Sequence, residues 1–225
     1  MRLLLVVFVM FLGLHLKAQI VKDYSVRVGE KPNEVLPNEA LYELPVFKQG
    51  TIFLRDGTSS MKKINYNFFL NEMHFIGDNN DTLAMAEPVL IKRIVIDSMV
   101  FYFDKGFLKE IFNNGKYKLM VREQMMQIGD KTSGAYDMPT ASSSIRTYGT
   151  INNGQTLQLQ VKKDVIFRKE ISYFIGDSFD SFLKATKKNF QLLFEQKDIF
   201  QFVKANHINF NKERDLKLLL QFCVE

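Results

Sequence analysis

Two periodicities divide the chain. From about Val46 to Ile175 apolar and polar residues tend to alternate with period two, as in Lys63-Ile64-Asn65-Tyr66-Asn67-Phe68 and Glu72-Met73-His74-Phe75-Ile76. Alternation places every second side chain on one face of a strand, so these segments predict half-buried β-strands. Thr51-Ile52-Phe53-Leu54, Ile94-Val95-Ile96 and Met99-Val100-Phe101-Tyr102-Phe103 add β-branched and aromatic runs, and Leu157-Gln158-Leu159-Gln160-Val161 adds a strand with one wet face. Turn signals separate them: Asp56-Gly57, Gly77-Asp78-Asn79-Asn80-Asp81, Asp97-Ser98, Asn113-Asn114-Gly115 and Asn152-Asn153-Gly154. Asn, Asp and Gly tolerate positive φ, which tight hairpins require. Short strands with frequent turns predict an antiparallel β-sandwich or curled sheet over residues 46–175, not βαβ units.

After Gly176 the period lengthens to 3.6. Asp177 or Ser178 is placed to cap a helix carrying Phe179, Phe182, Leu183, Thr186, Phe190, Leu193 and Phe194 on one face. A second short helix carries Ile199, Phe202 and Val203 and ends near Asn206. Asn211 is placed to cap a third, with the apolar stripe Leu216, Leu219, Leu220 and Cys223. Helices this short need a surface to bury their stripe, so residues 176–225 read as a cap packed on the sheet. The fold class expected is α+β.

Before the sheet, residues 19–45 carry Pro32, Pro37 and Pro45, with a turn at Gly29-Glu30-Lys31-Pro32-Asn33, and read as an extended, wrapping lead-in. Residues 1–18 have a different character. Arg2 is followed by an uncharged apolar run from Leu3 to Leu14, and Lys17-Ala18 precedes ordinary mixed polarity from Gln19. This is the pattern of a cleavable signal peptide, with the cut expected after Ala18. The run is shorter than the roughly 20 residues a membrane-spanning helix needs. No cysteine stands near the cut to accept a lipid, and Cys223 is the single cysteine, so no intramolecular disulfide can form. The expected location is the periplasm or the extracellular space. A transmembrane barrel would need strands of roughly 10 residues filling most of the chain, which the helical tail opposes.

Loss of the leader removes Arg2 and Lys17 and lowers the net charge from +5 to +3. The remaining basic residues are dispersed, which argues against a nucleic-acid partner. With 21 Phe and no Trp, the core is expected to be rich in phenylalanine.

The layout resembles uncharacterised secreted proteins of Bacteroidota. The resemblance rests on Asp56-Gly57, on Ile64-Asn65-Tyr66-Asn67, and on Phe190, Lys204, Phe210, Asp215 and Leu216 in the tail. It implies an envelope location and no particular activity.

Candidate chemistry is sparse. His74 lies in an alternating run and reads as a half-buried structural imidazole; His207 follows a helix end, where the dipole favours a cation. Cys223 sits on an apolar stripe and reads as a small hydrophobe. Once His15 is lost with the leader, two histidines and one thiol cannot build a structural zinc site without carboxylates, and the loop Gly77 to Thr82 lacks the glycine and bidentate glutamate of a calcium loop. No nucleophile elbow, dinucleotide fingerprint or phosphate loop occurs, and no cofactor is indicated. Asp81-Thr82-Leu83 and Asp97-Ser98-Met99 match the acceptor pattern for O-glycosylation in Bacteroidota envelopes, although turns use the same residues. The segment from Asp130 to Gly149 is rich in Ser and Thr, and its Tyr136, Arg146 and Tyr148 are the binding residues the sequence nominates. The function expected is a non-enzymatic binding or assembly module of the envelope, its partner another envelope protein or a glycan. The alternative is a hydrolase or small-ligand-binding protein, with a carboxylate-lined pocket between sheet and helices and acids such as Asp104 or Glu110.

Overall fold

A computed structural model describes residues 22–130 and 160–225. The leader, the nominated residues Tyr136, Arg146 and Tyr148, and Leu157 to Leu159 lie outside the described residues.

The chain begins with strand β1 (Asp23–Val26), then two one-turn helices, α1 (Pro32–Val35) and α2 (Asn38–Leu41). Strands β2 (Lys48–Leu54), β3 (Ser59–Asn67), β4 (Glu72–Ile76), β5 (Thr82–Ala84), β6 (Ile91–Ile96), β7 (Met99–Phe103), β8 (Phe107–Asn113), β9 (Tyr117–Asp130), β10 (Val165–Asp177) and β11 (Phe182–Lys184) follow. Helices α3 (Lys187–Leu193), α4 (Ile199–Ala205) and α5 (Glu213–Val224) close the chain. The eleven strands of the described residues form one antiparallel sheet in the order β1-β10-β9-β8-β7-β6-β2-β3-β4-β5, with β11 also pairing β10. The fold is the expected α+β arrangement in its curled-sheet form.

The local chemistry of the turns explains the ladder. At the β2–β3 hairpin Gly57 takes φ +91°, and Asp56 Oδ1 accepts from both the Thr58 amide (2.8 Å) and its hydroxyl (2.7 Å). Asp97 adopts φ +51° between β6 and β7, and Asn80 φ +61° in the turn between β4 and β5. Both candidate glycosylation tripeptides therefore start beside or within a hairpin turn.

Curling brings distant strands over one core. Ile64, Met73, Ile94, Ile96 and Phe101 pack with Val26, Val165 and Phe167 from the other side of the sheet, and with Leu36, Ala40 and Leu41 of the α1–α2 segment. The link between β3 and β4 completes the wrap. The Met125 amide of β9 donates to the Phe68 carbonyl (2.8 Å), Tyr66 Oη lies 3.0 Å from the Glu123 carbonyl, and the Phe69 and Phe167 rings meet edge-on at 5.1 Å. Main-chain groups of β9 that β8 is too short to reach are satisfied in this way. At the far end of the strands a second core joins Leu119 and Ile175 to Phe190, Phe194, Ile199, Leu216, Leu219, Leu220 and Cys223 of the helices.

Four sequence expectations are corrected. The described part of the lead-in is not simply extended: it contains β1, α1 and α2, with Pro32 in the first turn of α1, where its missing N–H costs nothing. No helix starts at Asp177 or Ser178. Asp177 Oδ1 instead accepts from the Phe179 amide (2.9 Å) and the Ser181 amide (3.0 Å), turning the chain into β11 and leaving Phe179 88% exposed. The helix starts at Lys187, capped by Thr186 Oγ1. Asn211 does not cap α5, whose first residue is Glu213; Asp215 Oδ2 accepts from the Asn209 amide ahead of it. Of the expected strand at 157–161, the described residues Gln160 and Val161 lie outside any strand. Val161 exchanges main-chain bonds with Gly29 and Glu30.

Candidate functional site

Direct cross-strand partners share a face of a sheet, as do residues two apart on one strand. Lys109 pairs with Val121, Glu123 with Ile171, and Met125 with Lys169. Lys109, Glu123 and Lys169 therefore project from the same face of β8, β9 and β10. On that face Met125 and Phe107 belong to the first core, and Leu119 and Ile175 to the second. A charged band thus separates two apolar zones, one roofed by the α1–α2 segment and the other by α3–α5.

The band floors a cleft of about 560 Å³ lined by Asn38, Glu39, Tyr42, Glu43, Pro45, Phe68, Lys109, Glu123 and Lys169. Its upper wall comes from α2 and the stretch after it. Asn38 Nδ2 donates to the carbonyls of Leu44 (3.4 Å) and Pro45 (3.2 Å), and Asn65 bonds Leu44 through both its amide nitrogen and its oxygen, fixing that wall to β3.

Lys109 Nζ stands between two carboxylates, 2.5 Å from Glu43 Oε1 and 3.1 Å from Glu123 Oε2, with all three side chains no more than 20% exposed. Burial alone would pull the Lys109 ammonium down. The hydrogen bonds and charges of the two glutamates outweigh it and hold the group above the ordinary lysine value. Lys169 has the opposite balance. Its Nζ lies 3.4 Å from the centroid of the Phe68 ring, and among the described residues no carboxylate comes within ion-pair distance. Burial lowers its ammonium, and Lys109 adds repulsion; the more distant Glu123 and Glu43 offset this only partly. At the rim Glu39 Oε1 meets Lys22 Nζ at 3.4 Å, and its carboxyl is held below the ordinary value by its own backbone amide, then by Lys22 and Lys169.

Tyr42 reaches from the cleft wall to a buried imidazole: Tyr42 Oη lies 3.1 Å from His74 Nδ1, and His74 Nε2 lies 3.5 Å from Glu72 Oε2. Both ring nitrogens are occupied and His74 is only 1% exposed, so it is a structural histidine, and a fully buried rather than half-buried one. Burial raises the Tyr42 phenol.

The acids named from the sequence are not in this cleft. Glu110 pairs with Met120 on the opposite face, where Tyr102, Leu108 and Met120 form a third small cluster, and its carboxylate accepts from Asn113 Nδ2 (3.1 Å). Asp104 lies in the β7–β8 turn, where its carbonyl accepts from Arg122 Nη2 (2.6 Å). The cleft lies under α2 and takes no lining residue from α3–α5.

Sequence reasoning missed Glu43, Lys109, Glu123 and Lys169. A signal was present. In Phe107-x-Lys109-x-Ile111, Val121-x-Glu123-x-Met125 and Phe167-x-Lys169-x-Ile171, one charge interrupts the apolar phase of each of three neighbouring strands. Among the described residues no group of His, Cys, Asp and Glu is arranged to hold a metal ion, and no helix is long and apolar enough to cross a membrane. Comparison with known proteins finds no matching family model, no similar curated protein and no similar solved structure.

Proposed function

We propose that this chain is an exported, non-enzymatic binding module whose small polar ligand occupies the cleft between α2 and strands β8–β10. The observation that carries the reading is the inequality of its two lysines. Lys109 is held between Glu43 and Glu123 and serves as a strut, whereas Lys169 keeps a half-buried ammonium over the aromatic face of Phe68. Holding a cation in that state opposes folding, and a ligand acceptor would relieve it. The cleft volume falls within the range of roughly 300–1,000 Å³ usual for small-molecule sites.

Binding is favoured over hydrolysis by the bonding of the two acids. Both acids are tied to the same ammonium, whereas a hydrolytic carboxylate pair needs one member free to carry a proton to the leaving group. Export rests on the charged, then apolar, then small-residue order of residues 1–18.

A library of amino acids, short peptides, sugars and organic acids screened by thermal shift, with hits mapped by backbone NMR, tests the site. Hits should move the amides of Lys109, Glu123 and Lys169. Ligands that instead perturb Tyr102 and Phe182 on the opposite face, or a library without hits, would refute it. Export is checked by mass spectrometry of the cellular protein: a chain starting at Gln19 outside the cytoplasm is expected, and an intact Met1 in the cytoplasm would contradict it.

A further inference from the structure

The hydrogen-bonding inventory of the cleft narrows the ligand class. Lys169 offers ammonium protons and, among the described residues, has no acceptor for them. Glu43 commits Oε1 and Glu123 commits Oε2 to Lys109, so Glu43 Oε2 and Glu123 Oε1 remain as acceptors. The Asn38 amide nitrogen is engaged by the Leu44 and Pro45 carbonyls, and the Tyr42 hydroxyl by His74. The cleft therefore presents one free cationic donor beside anionic acceptors.

The charges are balanced as well. Glu39, Glu43 and Glu123 face Lys109 and Lys169, and Lys22 at the rim offsets the remaining negative charge. A dianion such as phosphate would meet one free ammonium and three carboxylates. A simple cation would meet the two free glutamate oxygens but also two ammonium groups. A molecule that carries both charges satisfies both sets, because each end then exchanges water for an opposite charge in a partly dry site.

We propose, building on the cleft reading above, that the ligand is an α-amino carboxylate, a free amino acid or a short peptide, whose carboxylate docks on Lys169 and whose ammonium docks on Glu43 and Glu123. Lys169 is then the residue that selects for the carboxylate, and Phe68 beneath it limits how far the ammonium can withdraw.

The test is isothermal titration of the full secreted chain with alanine, the dipeptide Ala-Ala, its N-acetylated form, its C-terminal amide, and maltose as a neutral polyhydroxy probe. Alanine and Ala-Ala separate the two sources of the same chemistry, and binding of either supports the proposal. Blocking either end of the bound one should weaken it at least tenfold, and Lys169→Met should do the same while the variant keeps the wild-type circular dichroism. Lys169→Gln, which retains polarity, provides a second reading if the methionine variant misfolds. Binding of maltose, mapped to the Phe68 and Glu123 amides and indifferent to Lys169→Met, without binding of alanine or Ala-Ala, would overturn the amino-carboxylate class and leave the cleft as a site. Binding of Ala-Ala that survives both end blocks would overturn the class too. No binding by any of the five probes would overturn the class and count against the cleft itself.

Discussion

Replacing Lys109 by methionine isolates the electrostatic strut of the cleft, because methionine keeps a straight apolar stem and removes the charge. In the wild type the ammonium lies 2.5 Å from Glu43 and 3.1 Å from Glu123, so the two carboxylate oxygens it joins are at most 5.6 Å apart, those two distances laid end to end. At an effective dielectric constant of about 20, two like charges at that separation repel by about 3 kcal/mol once the cation is gone. Removing one partner of a buried ion pair costs about 3–5 kcal/mol and of an exposed one about 0–1 kcal/mol. These side chains are 14–20% exposed, which places them nearer the buried limit. Lys109→Met is therefore expected to destabilise the fold by about 2–4 kcal/mol at pH 7, read as a fall in the urea midpoint with an unchanged slope. The loss should depend on pH in one direction. Two carboxyls facing each other without a cation hold a proton to higher pH than they do in the unfolded chain. The folded variant then binds more protons than its unfolded state, and its stability falls as pH rises through that range. The difference from wild type should accordingly be smaller at pH 5 than at pH 7.5. Adding Glu43→Gln and Glu123→Gln to Lys109→Met should recover most of the loss. A loss below about 1 kcal/mol at pH 7, or one that does not change with pH, would refute the strut.

Phe167, fully buried where β10 meets Phe69 across the curl, should cost about 3–5 kcal/mol when replaced by alanine; a loss under about 1.5 kcal/mol in urea unfolding would show that the curl does not depend on that contact. Arg168 grips Asp23 through two bonds of 2.7 Å, yet both side chains are about two-fifths exposed, so Arg168→Gln should leave the urea midpoint close to that of the wild type, and any difference should vanish in high salt. Burial pushes the Cys223 thiol up to about 12, with Lys197 opposing weakly, so the native chain should resist a disulfide reagent at pH 8 and react fully in denaturant; rapid native labelling would contradict the packing of α5.

The parts of this fold that were legible in the sequence are those set by neighbours along the chain. Asp56-Gly57 marks its hairpin because the turn's own bonds run within three residues. Leu216, Leu219, Leu220 and Cys223 mark the buried side of α5 because a helix repeats its face every 3.6 residues. Asp177 misled for the same reason. A short acceptor before an apolar stripe caps a helix or closes a turn equally well, and here strand pairing of Phe182 with Gly176 decided for the turn. The cleft was least legible. Glu43, Lys109, Glu123 and Lys169 come together only through strand pairing, and each alone looks like an ordinary surface charge. The interrupted apolar phase on β8, β9 and β10 becomes meaningful once those strands are known to be neighbours. Tyr136, Arg146 and Tyr148, which composition singled out, lie outside the described residues.

Asp130 and Val165 stand opposite each other at the end of the β9–β10 ladder. From there the pairing runs to Tyr117 and Asp177, along the two longest described strands of the sheet. Since successive side chains point to opposite faces, a slip of one position along this ladder would turn Lys169 away from Lys109 and Glu123 and dismantle the cleft, so the site is only as permanent as the register.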